Sequence, residues 1–394
     1  MNLAIKDIRY SLGRFLLTAA GVGFLITASI GMVGLYRGIV ADALLLIEQI
    51  GADLWVVQGG HSGPFSESSA ISTDMDRRVA GVVGVAAVRR FTQTSQQVSF
   101  NDRSVRATIT AIDFPSDTGD WINLTAGRHL RNGHYEVIAN DNLSLALGTS
   151  ITVGRDQYHV VGLTSGMVDM GGDGLMFMSV NDVITIMKRR TNEEILLARK
   201  SDLASGLATG NSDSNGGSVD GALDNQKIAA VLVTLSPAAD EQAVREALLA
   251  WGDVNVMSGQ DQKDLLLNQR LLRLRIQILA FTGVLLVVMA IVISLIIYML
   301  TIEKLHQIAM LKLIGARNSV VINMIVQQAF LIGAGGFAFG IGLARLIFPH
   351  FPRRVVMDLH DLGLLAMTVA IICAFASLMG ISRALNVRAQ EVLS

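Results

Sequence analysis

The chain has 394 residues, 51% of them hydrophobic and only 16% charged, and a mean hydropathy of +0.48, so the bilayer is part of its solvent. A net charge of −1 excludes the basic footprint of a nucleic-acid-binding protein. One cysteine, Cys373, excludes an internal disulfide, and seven histidines without HxxxH or Cys/His clustering offer no metal site.

From the start of the chain, Ala4, Ile5, Ile8 and Leu12 share one helical face and Asn2, Lys6, Arg9 and Gly13 the other, which predicts an amphipathic helix over 1–14 along the cytoplasmic interface. Crossing about 30 Å of hydrocarbon takes roughly 20 apolar residues. Four segments qualify: 15–36, 276–300, 320–348 and 362–381. The first has a longer apolar run than a cleavable signal and no Ala-x-Ala site after it, so it is read as retained.

Lys6, Arg9 and Arg14 precede the first span, Lys304, Lys312 and Arg317 lie between the second and third, and Arg383 and Arg388 follow the fourth. The positive-inside bias makes these flanks cytoplasmic, which leaves 37–275 and the loop 349–361 outside. Arg353 and Arg354 run against the bias, but Asp358 and Asp361 share their loop.

Gly23, Thr27 and Gly31 in the first span, and Gly336 and Gly340 in the third, recur at helical spacing and let backbones approach closely. Packing inside one bundle and a seam between two copies both fit such stripes. No span contains Asp, Glu or Lys, and Arg345 lies near the outer end of its span, so an ion or solute path through the helices is disfavoured.

Outside the membrane, Ile39, Ala43, Leu46 and Ile50 continue the first helix, and Leu265, Leu272, Ile276 and Leu279 lead into the second, as two stalks. Between them 53–58 reads as a strand, 73–83 as a helix opened by a Thr-x-x-Asp cap, and 86–91, 97–100 and 106–111 as strands. Later, 228–235 and 253–257 read as strands flanking a helix at 239–250. These are two βα-β halves, separated by a β-rich insertion over about 115–225 with strands at 136–139, 150–153, 157–162 and 174–179. Residues 201–226, rich in Ser, Gly, Asp and Asn, are expected to form a mobile loop. His129 and His134, near Asp141, read as solvated turn residues, and no paired carboxylates or Ser-His-Asp spacing supports catalysis.

Three stretches carry a family resemblance. "AGRHLRNGHYEVIANDNLSLALGTSITVGRDQYHVVG" from Ala126 to Gly162 resembles the extracytoplasmic domain of MacB- and LolC/E-like permeases: a Gly-Arg turn, a strand, a short helix ending at Leu-Gly, then a hairpin. "MFMSVNDVITIM" from Met176 to Met187 is similar to the strand-helix that follows there. "EKLHQIAMLKLIGARNSVV" from Glu303 to Val321 resembles the loop after the second span of FtsX-superfamily permeases.

The resemblance implies a membrane protein of four transmembrane α-helices with a large extracytoplasmic α+β domain between spans 1 and 2, a porter-like part plus a β-rich insertion. It implies a coupling helix in 301–319 that docks on an ATPase, with Leu305, Ile308 and Leu311 as its apolar face, Lys304, Gln307 and Lys312 at its margins and Gly315 after it. Many relatives carry Arg-Glu-Ile-Gly where this chain has His306-Gln307-Ile308-Ala309, and "IAMLKLIGA" looks closer to DevC-like permeases, which work with an HlyD-type adaptor and a TolC-like duct.

No GxxxxGK[ST] occurs, so ATP and Mg²⁺ are expected on a separate ATPase chain, with no cofactor bound here. The implied function is the permease subunit of an inner-membrane ABC exporter, a homodimer working by mechanotransmission. The alternatives are lipid or lipoprotein extraction of LolC/E type and an FtsX-like regulator of a cell-wall hydrolase.

Overall fold

The computed structural model describes residues 12–101, 103–189, 227–314, 317–351 and 353–386. Most of the helix expected over 1–14, the loop 201–226 and the end of the tail lie outside the described residues. The chain divides into two compact units, Met1–Ile39 with Arg273–Ser394, and Val40–Leu272.

Helix α1, Leu12–Ile50, runs 39 residues without a break and so contains the predicted first span and its continuation. Its glycines are tolerated because each backbone group stays bonded inside the helix, the only arrangement hydrocarbon permits. It stops at Gly51, whose φ of +60° is the left-handed conformation that closes a helix.

In the second unit, β1 (Leu54–Gln58), β2 (Ile71–Ser72), α2 (Met75–Ala80) and β3 (Val85–Phe91) come first. The helix opens at Asp74 with no side-chain cap, so the Thr-x-x-Asp pattern starting at Thr73 is not what begins it. Then follow β4 (Gln93–Phe100), β5 (Arg103–Ile112), β6 (Leu124–Gly127), β7 (Glu136–Asn140), a 3₁₀ turn (Asp141–Leu143), β8 (Ser150–Val153), β9 (Asp156–Thr164) and β10 (Gly174–Ser179). The short helix expected to end at Leu147-Gly148 is this single turn, and Ser144, in the left-handed region, closes it early. Helix α3 covers 180–189. After β11 (Lys227–Ile228), β12 (Ala230–Leu235), α4 (Glu241–Leu249) and β13 (Val254–Ser258), helix α5 (Gly259–Leu265) passes into a π-turn at Leu266–Arg270. A capping box starts α5: Ser258 Oγ accepts from the Asp261 N–H at 3.1 Å and the Asp261 carboxylate accepts from the Ser258 N–H at 3.0 Å.

One sheet has the order β13-β1-β12-β3 with every neighbour antiparallel, the split βαβ arrangement that two βα-β halves make when they interleave. Trp55 meets Phe65 and Phe91 edge to face against it, at 5.3 Å between centroids each, and those two phenylalanines are tilted against each other at 5.6 Å. Seven further strands run β6-β9-β7-β10-β5-β4-β8, with β8 pairing back onto β9, while β2 and β11 form a separate two-stranded sheet. Six strands therefore close a small barrel, with β6 continuing along the β9 edge beyond β8. Closure leaves few edges to protect, and Val98, Ile109, Val137, Ile151, Val160 and Met176 are fully buried.

The insertion is thus larger than 115–225. Strands β4 and β5 belong to the barrel, and the chain changes sheets at Thr92, between β3 and β4. Pro115 and the polar residues after it mark a connection inside the barrel, from β5 to β6.

In the first unit, α6 (Leu272–Glu303), α7 (Leu305–Leu313), α8 (Asn318–Ile347) and α9 (Leu359–Asn386) follow. With α1, the three long ones make four helices long and apolar enough to cross a membrane. Val22, Ile26, Ile293, Ile297, Ile325, Ile332 and Cys373 form their common core.

Candidate functional site

The segment after α6 turns at Lys304, whose N–H donates to the Thr301 carbonyl at 3.2 Å, and restarts as α7. Ile308 is 1% exposed and packs in the core of the bundle with Ile325 and Ile297, beside buried Ala309. The expected docking face of Leu305, Ile308 and Leu311 therefore needs correcting: Ile308 turns inward, and Lys304 and Leu305 are half-buried. The outward face carries Ile302, His306, Gln307, Met310 and, one turn on, Ile314 at 83% exposed. The side chains of Leu311 and Lys312, and Gly315, lie outside the described residues.

The two small-residue stripes meet each other within the chain. A Cβ on Gly23 would lie 2.5 Å from Phe339 Cδ1 and 2.9 Å from the Gly336 carbonyl; one on Gly336, 2.8 Å from Val22; one on Gly340, 3.0 Å from the Gly23 carbonyl. Thr27 Oγ1 donates within reach of two carbonyls, Gly23 at 2.8 Å and Gly340 at 3.0 Å. Gly31 faces Phe348. α8 turns Gly333 to α9, where Cys373 Sγ lies 2.5 Å from the Cβ position. With no water to exclude, such contacts bind by close packing, for which glycine is the residue type.

Farther along α1, the loop before α9 is tied to it. The Val356 N–H donates to the Gly34 carbonyl at 3.0 Å, and the Arg354 carbonyl sits where a Cβ of Gly38 would be. Arg37 donates from Nη2 to Asp361 Oδ1 at 2.7 Å, pairs through Nε with the other oxygen and reaches Asp358 at 3.2 Å. Asp358, just before α9, and Asp361, in its first turn, thus share a specific cationic partner on α1.

The split βαβ sheet and the barrel are joined by consecutive arginines of β3. Arg89 reaches Asp117 at 2.8 Å, and Arg90 holds Asp113 through Nη2 at 2.7 Å, Nε at 3.1 Å and its own N–H at 2.7 Å. Burial works against the Arg90 charge, but the Asp113 hydrogen bonds and field prevail and raise its pKa. At the barrel, Glu136 accepts from Arg128 at 2.6 and 3.1 Å, from the N–H groups of Arg131 and Asn132, and from Asn132 Nδ2. Burial would raise this carboxyl, yet these donors hold it at about 2. His134 lies 2.7 Å from Asp182, not against Asp141, and is exposed on its other side. Among the described residues no group of His, Cys, Asp and Glu could hold a metal.

These contacts build a set of helices packed by small residues and a two-part domain fastened by ion pairs, with no nucleophile-base constellation among them. The sequence matches the MacB-like periplasmic core domain family over residues 15–250 and the FtsX-like permease C-terminal family over residues 279–389. The chain is an ABC transporter permease of the MacB/FtsX type.

Similar proteins include uncharacterized ABC transporter permeases of Mycobacterium tuberculosis and Mycobacterium bovis. The first is 21% identical over 386 residues, covering 98% of this permease and 96% of the relative; the second is 21% identical over 398 residues, with 96% and 95% covered. Among solved structures, the extracellular domain of the noncanonic ABC-type transporter YknZ from Gram-positive bacteria is 12% identical with a TM-score of 0.35, covering 53% of this permease and 100% of that chain. The periplasmic region of MacB from Actinobacillus actinomycetemcomitans is 14% identical with a TM-score of 0.35, covering 57% and 96%. Permeases of this kind are transport subunits and work with an ATPase partner.

Proposed function

We propose that this permease is the membrane subunit of an exporter working by mechanotransmission. A separate ATPase chain binds ATP and Mg²⁺ and docks on the outward face of α7, and its closure moves the domain outside the cytoplasm, which expels cargo taken up on that side. Two copies of the permease sit on two ATPase subunits in the inner membrane with both termini cytoplasmic, and an HlyD-type adaptor and TolC-like duct complete the path. The observation that carries this reading is α1: 39 residues of unbroken helix, about 58 Å at 1.5 Å per residue, pass from membrane span to domain where a crossing needs only about 30 Å. A continuous helix transmits displacement, which a flexible linker would absorb. Spans poor in charge also favour expulsion from the outer side over a pore.

The test is a tagged pull-down from mild detergent with ATPase assay of the complex. Wild-type permease is expected to bring down an ATPase and an adaptor, Met310→Asp to lose the ATPase alone, and Gln307→Ala to weaken it. A wild-type complex without ATPase would refute the reading.

A further inference from the structure

The unit Val40–Leu272 contains a cavity of about 230 Å³, room for about eight waters at ~30 Å³ each or one small organic molecule. Strands β4 and β5 line it with Gln93, Ser95 and Thr108, and the loop before β10 adds Asp169. Opposite chemistry comes from Phe65 in the loop after β1, Leu46 of α1 and Arg270 at the end of the π-turn.

One group fixes the hydrogen-bond directions on this wall. The Asp169 carboxylate only accepts, from Thr108 Oγ1 at 2.7 Å and from the Asp173 N–H at 2.9 Å. Thr108 has a single hydroxyl proton and commits it there, so the 3.1 Å contact between the two hydroxyls runs from Ser95 to Thr108. Ser95 Oγ is left with acceptor capacity only. Asp169 keeps unused lone pairs as well. These two acceptors, joined through one hydroxyl, stand at most two hydrogen-bond lengths apart, a separation that one –NH₂ group spans when both its hydrogens donate. Gln93, on the same face of β4 as Ser95, donates Nε2 to Thr110 at 3.2 Å and keeps Oε1 as a further acceptor.

Charge does not select a ligand here. Asp169 and Arg270 line the cavity without pairing to each other among the described residues, Arg270 donates to the Phe65 carbonyl, and Asp42, also on the wall, has a partner of its own. An ion of either sign would gain at one of the two opposed charges, lose at the other and give up its hydration. Hydrogen-bond polarity decides instead: acceptors on the β4–β5 side call for a donor, and the remaining guanidinium donors of Arg270 call for a carbonyl. Leu46 and Phe65 supply apolar and aromatic surface for the rest of the molecule.

We propose that this cavity binds an uncharged primary carboxamide carrying one apolar or aromatic group, its –NH₂ donating to Ser95 and Asp169 and its carbonyl accepting from Arg270. Binding needs neither an ATPase nor an adaptor, so this site and the exporter reading above can fail separately.

The test uses the full-length permease in detergent and intrinsic tryptophan fluorescence, since the Trp55 ring lies 5.3 Å from that of Phe65 on the cavity wall. Four probes share one skeleton: phenylacetamide, methyl phenylacetate, phenylacetate and phenethylamine. The amide is expected to bind saturably, and the ester, which keeps the carbonyl and has no donor, about tenfold more weakly. Both charged probes are expected to bind more weakly than the amide. Ser95→Ala is expected to lose about fivefold for the amide and little for the ester. Thr108→Val frees the Ser95 proton to donate to an ester carbonyl, so it is expected to bring ester and amide within about threefold of each other. Ester binding equal to amide binding in the wild type, tighter binding of either ion, absence of saturable amide binding, or an amide-to-ester ratio unchanged in both variants would each overturn the proposal. Amide binding with this pattern where no ATPase is recovered would leave the site standing and remove the exporter.

Discussion

If the α1–α8 seam is internal to one chain, Gly336→Leu should destabilise the single permease. The Cβ alone would lie 2.8 Å from Val22 Cγ1, 3.0 Å from Val22 Cβ and 3.3 Å from the Ala19 carbonyl. Carbon atoms settle at about 3.5–4.0 Å, so the helices must part by most of an ångström before the rest of the leucine is placed. Val22 cannot make room, being fully buried and β-branched with one favoured rotamer. Overpacking of this kind costs about 1–3 kcal/mol. Parting the helices also stretches the Thr27–Gly340 contact, an interhelical bond worth about 0.6 kcal/mol. The total is about 2–4 kcal/mol. Thermal unfolding in detergent would measure it, with Gly342→Leu as the control: that glycine is on the same helix and a Cβ there meets nothing within 4 Å. The control should melt like wild type and Gly336→Leu several degrees lower. If instead both melt like wild type while Gly336→Leu lowers the dimer fraction on size exclusion, the seam joins two copies and the reasoning fails.

Glu136→Gln should show a stability deficit that depends on pH. The carboxyl is held at about 2 against an ordinary 4.5, so its contribution is complete above 4.5 and is lost as pH falls through 2. The shift corresponds to about 3 kcal/mol at neutral pH, and unfolding followed through Trp121, which packs 5.5 Å from Phe177 on the barrel, should show wild type and variant converging in acid; a constant difference would refute the assignment. Arg37→Gln should cost little stability, about 0.5–1 kcal/mol for a part-exposed ion-pair network, but should release the loop before α9. Limited proteolysis between 353 and 361 should then be faster in the variant, and high salt should narrow the gap; equal cleavage would show that the clamp does not hold the loop.

The parts of this fold that the sequence discloses are those with a strong local cause. Long apolar windows mark the four helices because a bilayer tolerates no shorter solution, and β8 and β10 match their predicted ranges because period-two patterning and turn residues bound them. Sheet membership has no such local cause. β3 and β4 are separated by Thr92 alone and look alike as short alternating runs, yet one joins the split βαβ sheet and the other the barrel. What decides is the hairpin of β4 with β5 and the closure of β8 onto β9, both pairings between distant or adjacent segments that periodicity treats equally. β2 escapes detection because two residues are too few to show a period, and β6 because Leu124-Thr125-Ala126-Gly127 carries only one large apolar residue and buries none.

The functional surfaces are harder to read for a related reason. A helix next to a bundle and a partner carries two apolar stripes, and α7 shows both: Ile308 faces the core while Met310 and Ile314 face out. Hydrophobicity ranks the first stripe at least as high as the second, so the sequence does not tell the core-facing residues of α7 from the outward ones. Glycine stripes are ambiguous in the same way, since close approach is permitted equally to a neighbouring helix of the same chain and to one of another; the three-dimensional contacts of Gly23, Gly336 and Gly340, with the Gly340 carbonyl at Thr27, are what place these stripes against each other. Arg37 and Asp361 stand 324 positions apart, and each has a sufficient local explanation as a charge flanking a span. A residue whose role is local can be recognised from its neighbours in sequence. One whose role is to meet a distant segment can be recognised only when that segment is in place, and in this permease the side chains that join α1 to Asp358 and Asp361, and β3 to the barrel, are of the second kind.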